Sequence, residues 1–177
     1  VGGAGITNNG TLRVSDGVGG SGTVLGALAS VTLAGNGSVE LDALPGNLDS
    51  AYLFWTSNSS TQGFTNAASH TIRGSGNVHA FLVNNGLVTA DKSGRILQLV
   101  TTTKTNNNIL RATNNGTLAI SGVAVNQAPA ARIEAVAGNL SFASCSVSGG
   151  AIAVDGASSS TFTGSSTLND VTHSGRS

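Results

Sequence analysis

The chain of 177 residues has no methionine, one cysteine, two prolines, one tryptophan and one tyrosine, and only 9% of it is charged. Average soluble domains carry about a quarter of charged residues, so the ion-pair-laced surface of a helical domain or coiled coil is excluded. Eight Lys+Arg balance eight Asp+Glu, which leaves no basic excess to neutralise phosphates. No nucleic-acid partner is expected. The longest apolar runs, Tyr52-Leu53-Phe54-Trp55 and Phe81-Leu82-Val83, fall far below the roughly 18 residues of a membrane-spanning helix, so no membrane insertion is expected. Cys145 stands alone between small residues and reads as a buried strand filler, with no intramolecular disulfide possible. Absence of methionine, with a start at Val1, reads as an N-terminus made by processing or excision. Residues 1–177 are therefore expected to form a single domain cut from a longer precursor.

What is present is small. A mass of 17.4 kDa over 177 residues gives a mean residue below 100 Da, and glycine alone fills 25 positions. Apolar residues still reach 39% and the mean hydropathy is +0.15, which argues against disorder. They come mostly as Val, Ile, Leu and Ala in pairs and triplets, the pattern of short strands cut by turns.

A degenerate repeat runs through the chain. Asn8-Asn9-Gly10-Thr11-Leu12 returns as Asn84-Asn85-Gly86-Leu87-Val88 and as Asn114-Asn115-Gly116-Thr117-Leu118, with weaker copies at Gly35-Asn36-Gly37, Gly76-Asn77-Val78 and Gly138-Asn139-Leu140. Each copy is a turn followed by apolar residues at i, i+2 spacing: Leu12 and Val14, Val39 and Leu41, Leu118 and Ile120, Leu140 and Phe142, Ile152 and Val154. The turns recur at about 20 to 40 residues, wider than the roughly 8 to 12 of an antiparallel sandwich. These features predict an all-β, right-handed parallel β-helix of about seven to eight coils. Stacked corners invite ladders of side-chain amides. Asn9, Asn85 and Asn115 are the expected ladder residues, with Gly10, Gly86 and Gly116 as their turn partners.

The phrases Ile6-Thr7-Asn8-Asn9-Gly10-Thr11-Leu12, His70-Thr71-Ile72-Arg73-Gly74-Ser75-Gly76-Asn77-Val78 and Leu82-Val83-Asn84-Asn85-Gly86-Leu87-Val88-Thr89-Ala90 resemble the repeats of large bacterial surface proteins, the autotransporter passengers and haemagglutinin-like adhesins. The resemblance covers residues 1–42 and 70–170. It implies an exported, non-catalytic rod at the bacterial cell surface that displays loops or builds an extracellular layer.

Catalytic signals are sparse. A polysaccharide-cleaving β-helix needs clustered carboxylates. Of Asp16, Glu40, Asp42, Asp49, Asp91, Glu134, Asp155 and Asp170, only Glu40 and Asp42 share a strand face. His70, His79 and His173 lack metal-ligand spacing or a nucleophile motif and read as surface or turn residues. Gly19-Gly20-Ser21-Gly22-Thr23-Val24-Leu25 approaches a calcium-binding nonapeptide but has Thr23 in place of the liganding Asp. Neither cofactor nor metal is expected. Segment 44–69 interrupts the repeat and reads as a lateral insertion carrying Tyr52, Phe54, Trp55 and Phe64. These rings either form a contact platform for a glycan or protein, or shield a coil edge. The Thr101–Asn108 run reads as a polar lateral loop, and Thr161-Phe162-Thr163 is too isolated for a regular threonine face. The leading expectation is an extracellular fibre, surface-layer or adhesin segment that self-associates or abuts neighbouring β-helix segments through uncapped ends. The alternative is a carbohydrate-binding or carbohydrate-cleaving β-helix using the aromatics at 52–64.

Overall fold

A computed structural model describes residues 5–16, 22–55 and 62–175. Gly, Asn and Ser turns cut the alternating phrases into strands of at most eight described residues. The strands lie on three faces. The first face holds β1 (Ile6–Thr7), β4 (Val31–Ala34), β7 (Gly63–Asn66), β9 (Phe81–Asn84), β12 (Lys104–Asn106), β15 (Ala124–Gln127), β18 (Ser146–Ser148) and β21 (Thr167–Asn169). The second holds β2 (Thr11–Ser15), β5 (Ser38–Asp42), the start of β8 (Thr71–Val78), β10 (Leu87–Ala90), β13 (Ile109–Thr113), β16 (Arg132–Val136), β19 (Ala151–Val154) and β22 (Thr172–Gly175). On the third are β3 (Thr23–Ala27), β6 (Ala51–Trp55), the end of β8, β11 (Ile96–Leu99), β14 (Thr117–Ser121), β17 (Asn139–Ala143) and β20 (Ser159–Thr163).

Every strand pairing among the described residues is parallel. The chain visits the three faces in turn and then restacks on itself, so the architecture is a parallel β-solenoid. Among the described residues an antiparallel arrangement occurs only in the isolated bridge between Leu44 and Asn47. β8 is the one strand that serves two faces, pairing β5 and β10 with its first half and β6 and β11 with its second. Gly74 and Gly76, at φ of 109° and 141°, bend it between them.

Like stacks on like inside the coils. On the second face the inward row runs Leu12, Val39, Ile72, Val88, Leu110, Ile133 and Ile152. On the third it runs Leu25, Leu53, Val78, Leu99, Ile120, Phe142 and Phe162. The inner rungs of both rows are buried almost completely. The i, i+2 pairs read from sequence are therefore the inward residues of β2, β5, β14, β17 and β19.

The insertion expected at 44–69 is narrower than the sequence suggests. β6 and β7 lie within it and pair in register with the coils on either side. The departure from the repeat that the described residues show is 43–50, which contains the Leu44–Asn47 bridge and a short 3-10 turn at Leu48–Ser50. Thr101–Asn108 is likewise no simple lateral loop: β12 lies in it, with Lys104 and Asn106 turned into the core.

Candidate functional site

The four aromatics do not form one platform. Phe64 sits on β7 and is 1% exposed, filling the inward row between Val31 and Leu82, so it is core and unavailable to a ligand. On β6, Ala51 and Leu53 are fully buried, which turns Tyr52 and Phe54 outward. Trp55 ends the strand, packs against the core and stacks on Phe54 at 4.9 Å.

A histidine from the next coil completes the outer patch. The His79 ring lies 5.6 Å from Tyr52 and 6.0 Å from Phe54, edge-on to both, and Tyr52 and Phe54 meet at 89°. His79 Nε2 is 3.3 Å from Asp49 Oδ1, an oxygen that also accepts from Asn77 Nδ2 at 2.5 Å. His79 Nδ1 bonds the Thr101 hydroxyl at 2.9 Å. Thr101 has φ of 71°, rare for a β-branched residue, and sits at the apex of a γ-turn closed by Thr102 N–H donating to Val100 O. Sequence reading missed Asp49, Asn77, His79 and Thr101 as a group. They come from three successive coils, Asn77 and His79 from the same one, and only coil register brings them together.

Beneath that turn lies a buried lysine. Lys104 occupies the inward row between Leu82 and Val125 and is 1% exposed. Its Nζ donates to Ala80 O, Val100 O, Thr102 O and Thr102 Oγ1 at 2.7 to 3.1 Å. Burial pushes its pKa down to about 7. The ammonium thus ties together the carbonyls of two adjacent coil corners, including both that flank Thr101.

The amide ladder exists, on other residues. Asn66 Nδ2 donates to Asn84 Oδ1, Asn84 Nδ2 to Asn106 Oδ1 and Asn106 Nδ2 to Gln127 Oε1, at 2.8 to 3.0 Å, all buried on the first face. Gln127 Nε2 ends the series on Gly149 O. Each Asn also donates to a corner carbonyl: Leu87 O, Ile109 O or Arg132 O. His70 heads the ladder by donating Nδ1–H to Asn66 Oδ1, and burial lowers its pKa. It closes the turn that begins at Ala67, as the sequence allows, but it is buried there and is not a surface residue.

Asn9, Asn85 and Asn115 do not stack together. Asn9 and Asn85 turn the corner between the first and second faces in different coils, whereas Asn115 turns the corner between the second and third. Asn9 accepts from Asn36 N–H, and Asn85 accepts from Asn107 Nδ2 to form a short outer rung. Asn114 and Asn115 adopt φ of 52° and 56° themselves, so Gly116 is not the left-handed residue of that turn. Gly86 and Gly116 instead supply space: a Cβ on Gly86 would lie 2.3 Å from Ala67 O and His70 O, and one on Gly116 2.5 Å from Ala90 O. A Cβ on Gly10 would meet only Asn8 Oδ1, at 3.9 Å.

Charge gathers on the outside of the second face. Arg73 bonds Glu40 at 2.5 Å and Asp91 at 3.2 Å, Lys92 reaches Glu40 and Asp42, Arg13 pairs with Asp42, and Arg111 with Glu134. Burial raises the Asp42 pKa, but the bonds from Lys92 and Arg13 outweigh it and hold the carboxyl below its ordinary range. Glu40 and Asp42 are thus paired with cations on the outer face. Among the described residues no cluster of three His, Cys, Asp or Glu could hold a metal ion. Gly22–Leu25 of the nonapeptide-like phrase are described and contain the start of β3; Gly19–Ser21 lie outside the described residues. Cys145 is buried and its thiol pKa is raised by burial.

No family model, no curated protein and no solved structure matches this chain.

Proposed function

We propose that the chain is a non-catalytic structural protein: an extracellular β-solenoid, serving as a fibre or surface-layer subunit or as a segment of an adhesin, that associates through the open ends of its coils. The supporting observation is the fate of the core rows at their last rungs. Phe142 is buried, yet Phe162, stacked on it in register at 4.6 Å, is 40% exposed. Val147 is buried, yet its register partner Leu168 is 41% exposed. At the opposite end Leu12 is exposed where Val39, its partner, is fully buried.

These residues face the interior of a coil with no next rung described above them. The outer edges of β20, β21 and β22 likewise offer a row of backbone donors and acceptors, and such edges template another strand. A further coil, from a neighbouring molecule or a neighbouring segment, meets both needs. Zero formal net charge does not oppose that stacking. Light scattering on the eluting peak of a size-exclusion column, run over a range of loading concentrations, tests the reading. The expected apparent mass exceeds 17.4 kDa and rises with concentration; the monomer mass at every concentration would overturn it.

A further inference from the structure

We propose that the outer surface of the third face around β6 binds neutral saccharide chains, with Tyr52 and Phe54 as the stacking rings and Asp49, His79 and Thr101 as the polar rim. This inference is independent of end-to-end association. Sugar recognition requires two things side by side: an aromatic surface for the C–H face of a pyranose, and fixed donors and acceptors for its hydroxyls. Both are present. Tyr52 and Phe54 stand on a face whose outward residues in later coils, Ala119, Ser141 and Thr161, are small. Gly26, the register partner of Phe54 in the preceding coil, carries no side chain.

The polar rim is held in place before any ligand arrives. Asn77, 6% exposed, anchors Asp49 through Oδ1, and His79 bonds the same oxygen. The Asp49 side chain is 72% exposed, which leaves its second oxygen to accept from ligand hydroxyls. Thr101, strained at φ of 71°, holds the other side of the His79 ring, and Lys104 pins the carbonyls on both sides of Thr101. Strain maintained by a buried clamp next to the half-buried rings of Tyr52 and Phe54 is the arrangement of a preorganised site.

Charge selects the ligand class. The third-face strands β3, β6, β11, β14, β17 and β20 contain no Lys, Arg, Asp or Glu. The paired cations sit on the second face. The rim itself carries the Asp49 carboxylate, which repels a polyanionic chain and costs a neutral one nothing.

The chain's single tryptophan, Trp55, stacks on Phe54 and so reports occupancy directly. The protein is titrated with neutral oligosaccharides of glucose, xylose, mannose and N-acetylglucosamine while Trp55 emission is followed. A saturable change with at least one of them is expected, weakened about tenfold by Tyr52→Ala and by Asp49→Asn. Val136→Ala, at an exposed position on the second face, leaves it unchanged. Circular dichroism confirms that each variant keeps its strand signal, and Asp49→Asn, which is nearly isosteric, covers the case in which Tyr52→Ala does not fold. The proposal is overturned if no oligosaccharide gives a saturable response, if both variants bind like the parent, or if heparin binds more tightly than every neutral chain.

Discussion

Asn84 and Asn85 are neighbours in sequence and opposite in consequence. Asn84 points inward, accepts from Asn66 and donates to Asn106 Oδ1 and Ile109 O, all away from water. Asn84→Ala strips partners from buried amides and is expected to cost about 2 to 3 kcal/mol in urea unfolding, whereas Asn85→Ala, which loses one exposed rung, costs under about 1 kcal/mol. Equal effects from the two would contradict the ladder. Lys104 makes a prediction of a different sign. Its folded pKa of about 7 lies below the ordinary lysine value of 10.5, so between these values the unfolded chain binds the extra proton. The penalty for burying this lysine is full below pH 7 and fades as pH rises toward 10.5. Compared with Lys104→Met, the parent should gain unfolding free energy across that window, by at most about 1.4 kcal/mol per pH unit. A difference between parent and variant that does not change with pH would mean the buried amine titrates normally.

At the scale of the strand, the repeat was legible because alternation and stacking use the same residues. Leu118 and Ile120 are recognisable as an inward pair in isolation, and the coil above and below repeats them as Leu97 and Leu99, then Leu140 and Phe142. The ladder was misassigned because Asn-Asn-Gly shows two asparagines, and only the register shows that Asn84, not Asn85, faces inward. The aromatics were misread for a related reason. β6 is an ordinary coil strand with large outward side chains, and its bulk resembled an insertion. His79, Asp49 and Thr101 were illegible as a set, since sequence separations of 22 and 30 carry no local pattern. β8 offers the element-scale test. A Cβ on Gly76 would lie 2.2 Å from Ala51 O, and its φ of 141° strains any side chain. Gly76→Ala is expected to lower stability by roughly 3 kcal/mol or more, against about 1 kcal/mol for Gly94→Ala, where φ is also positive but nothing lies within 4 Å. Thermal melts of the two variants decide it.

Taken whole, the molecule divides its chemistry among its surfaces. Among the described residues the interior holds apolar rows and an amide ladder, the second face holds the paired charges, the third face holds the rings, and the terminal rungs Leu12, Phe162 and Leu168 are exposed. Small side chains follow from this plan, since stacked corners place one coil's carbonyls where a neighbour's Cβ would sit, as at Gly86. Eight strands on the first face at about 4.8 Å spacing make a unit about 35 Å long. If the open ends are the basis of function, length is the observable. Electron microscopy of the purified protein over a range of concentrations tests this most directly. The account predicts rods in multiples of the unit length that grow with concentration, with Phe162→Asp confined to single units. Rods of one unit length at every concentration of the parent protein would contradict it.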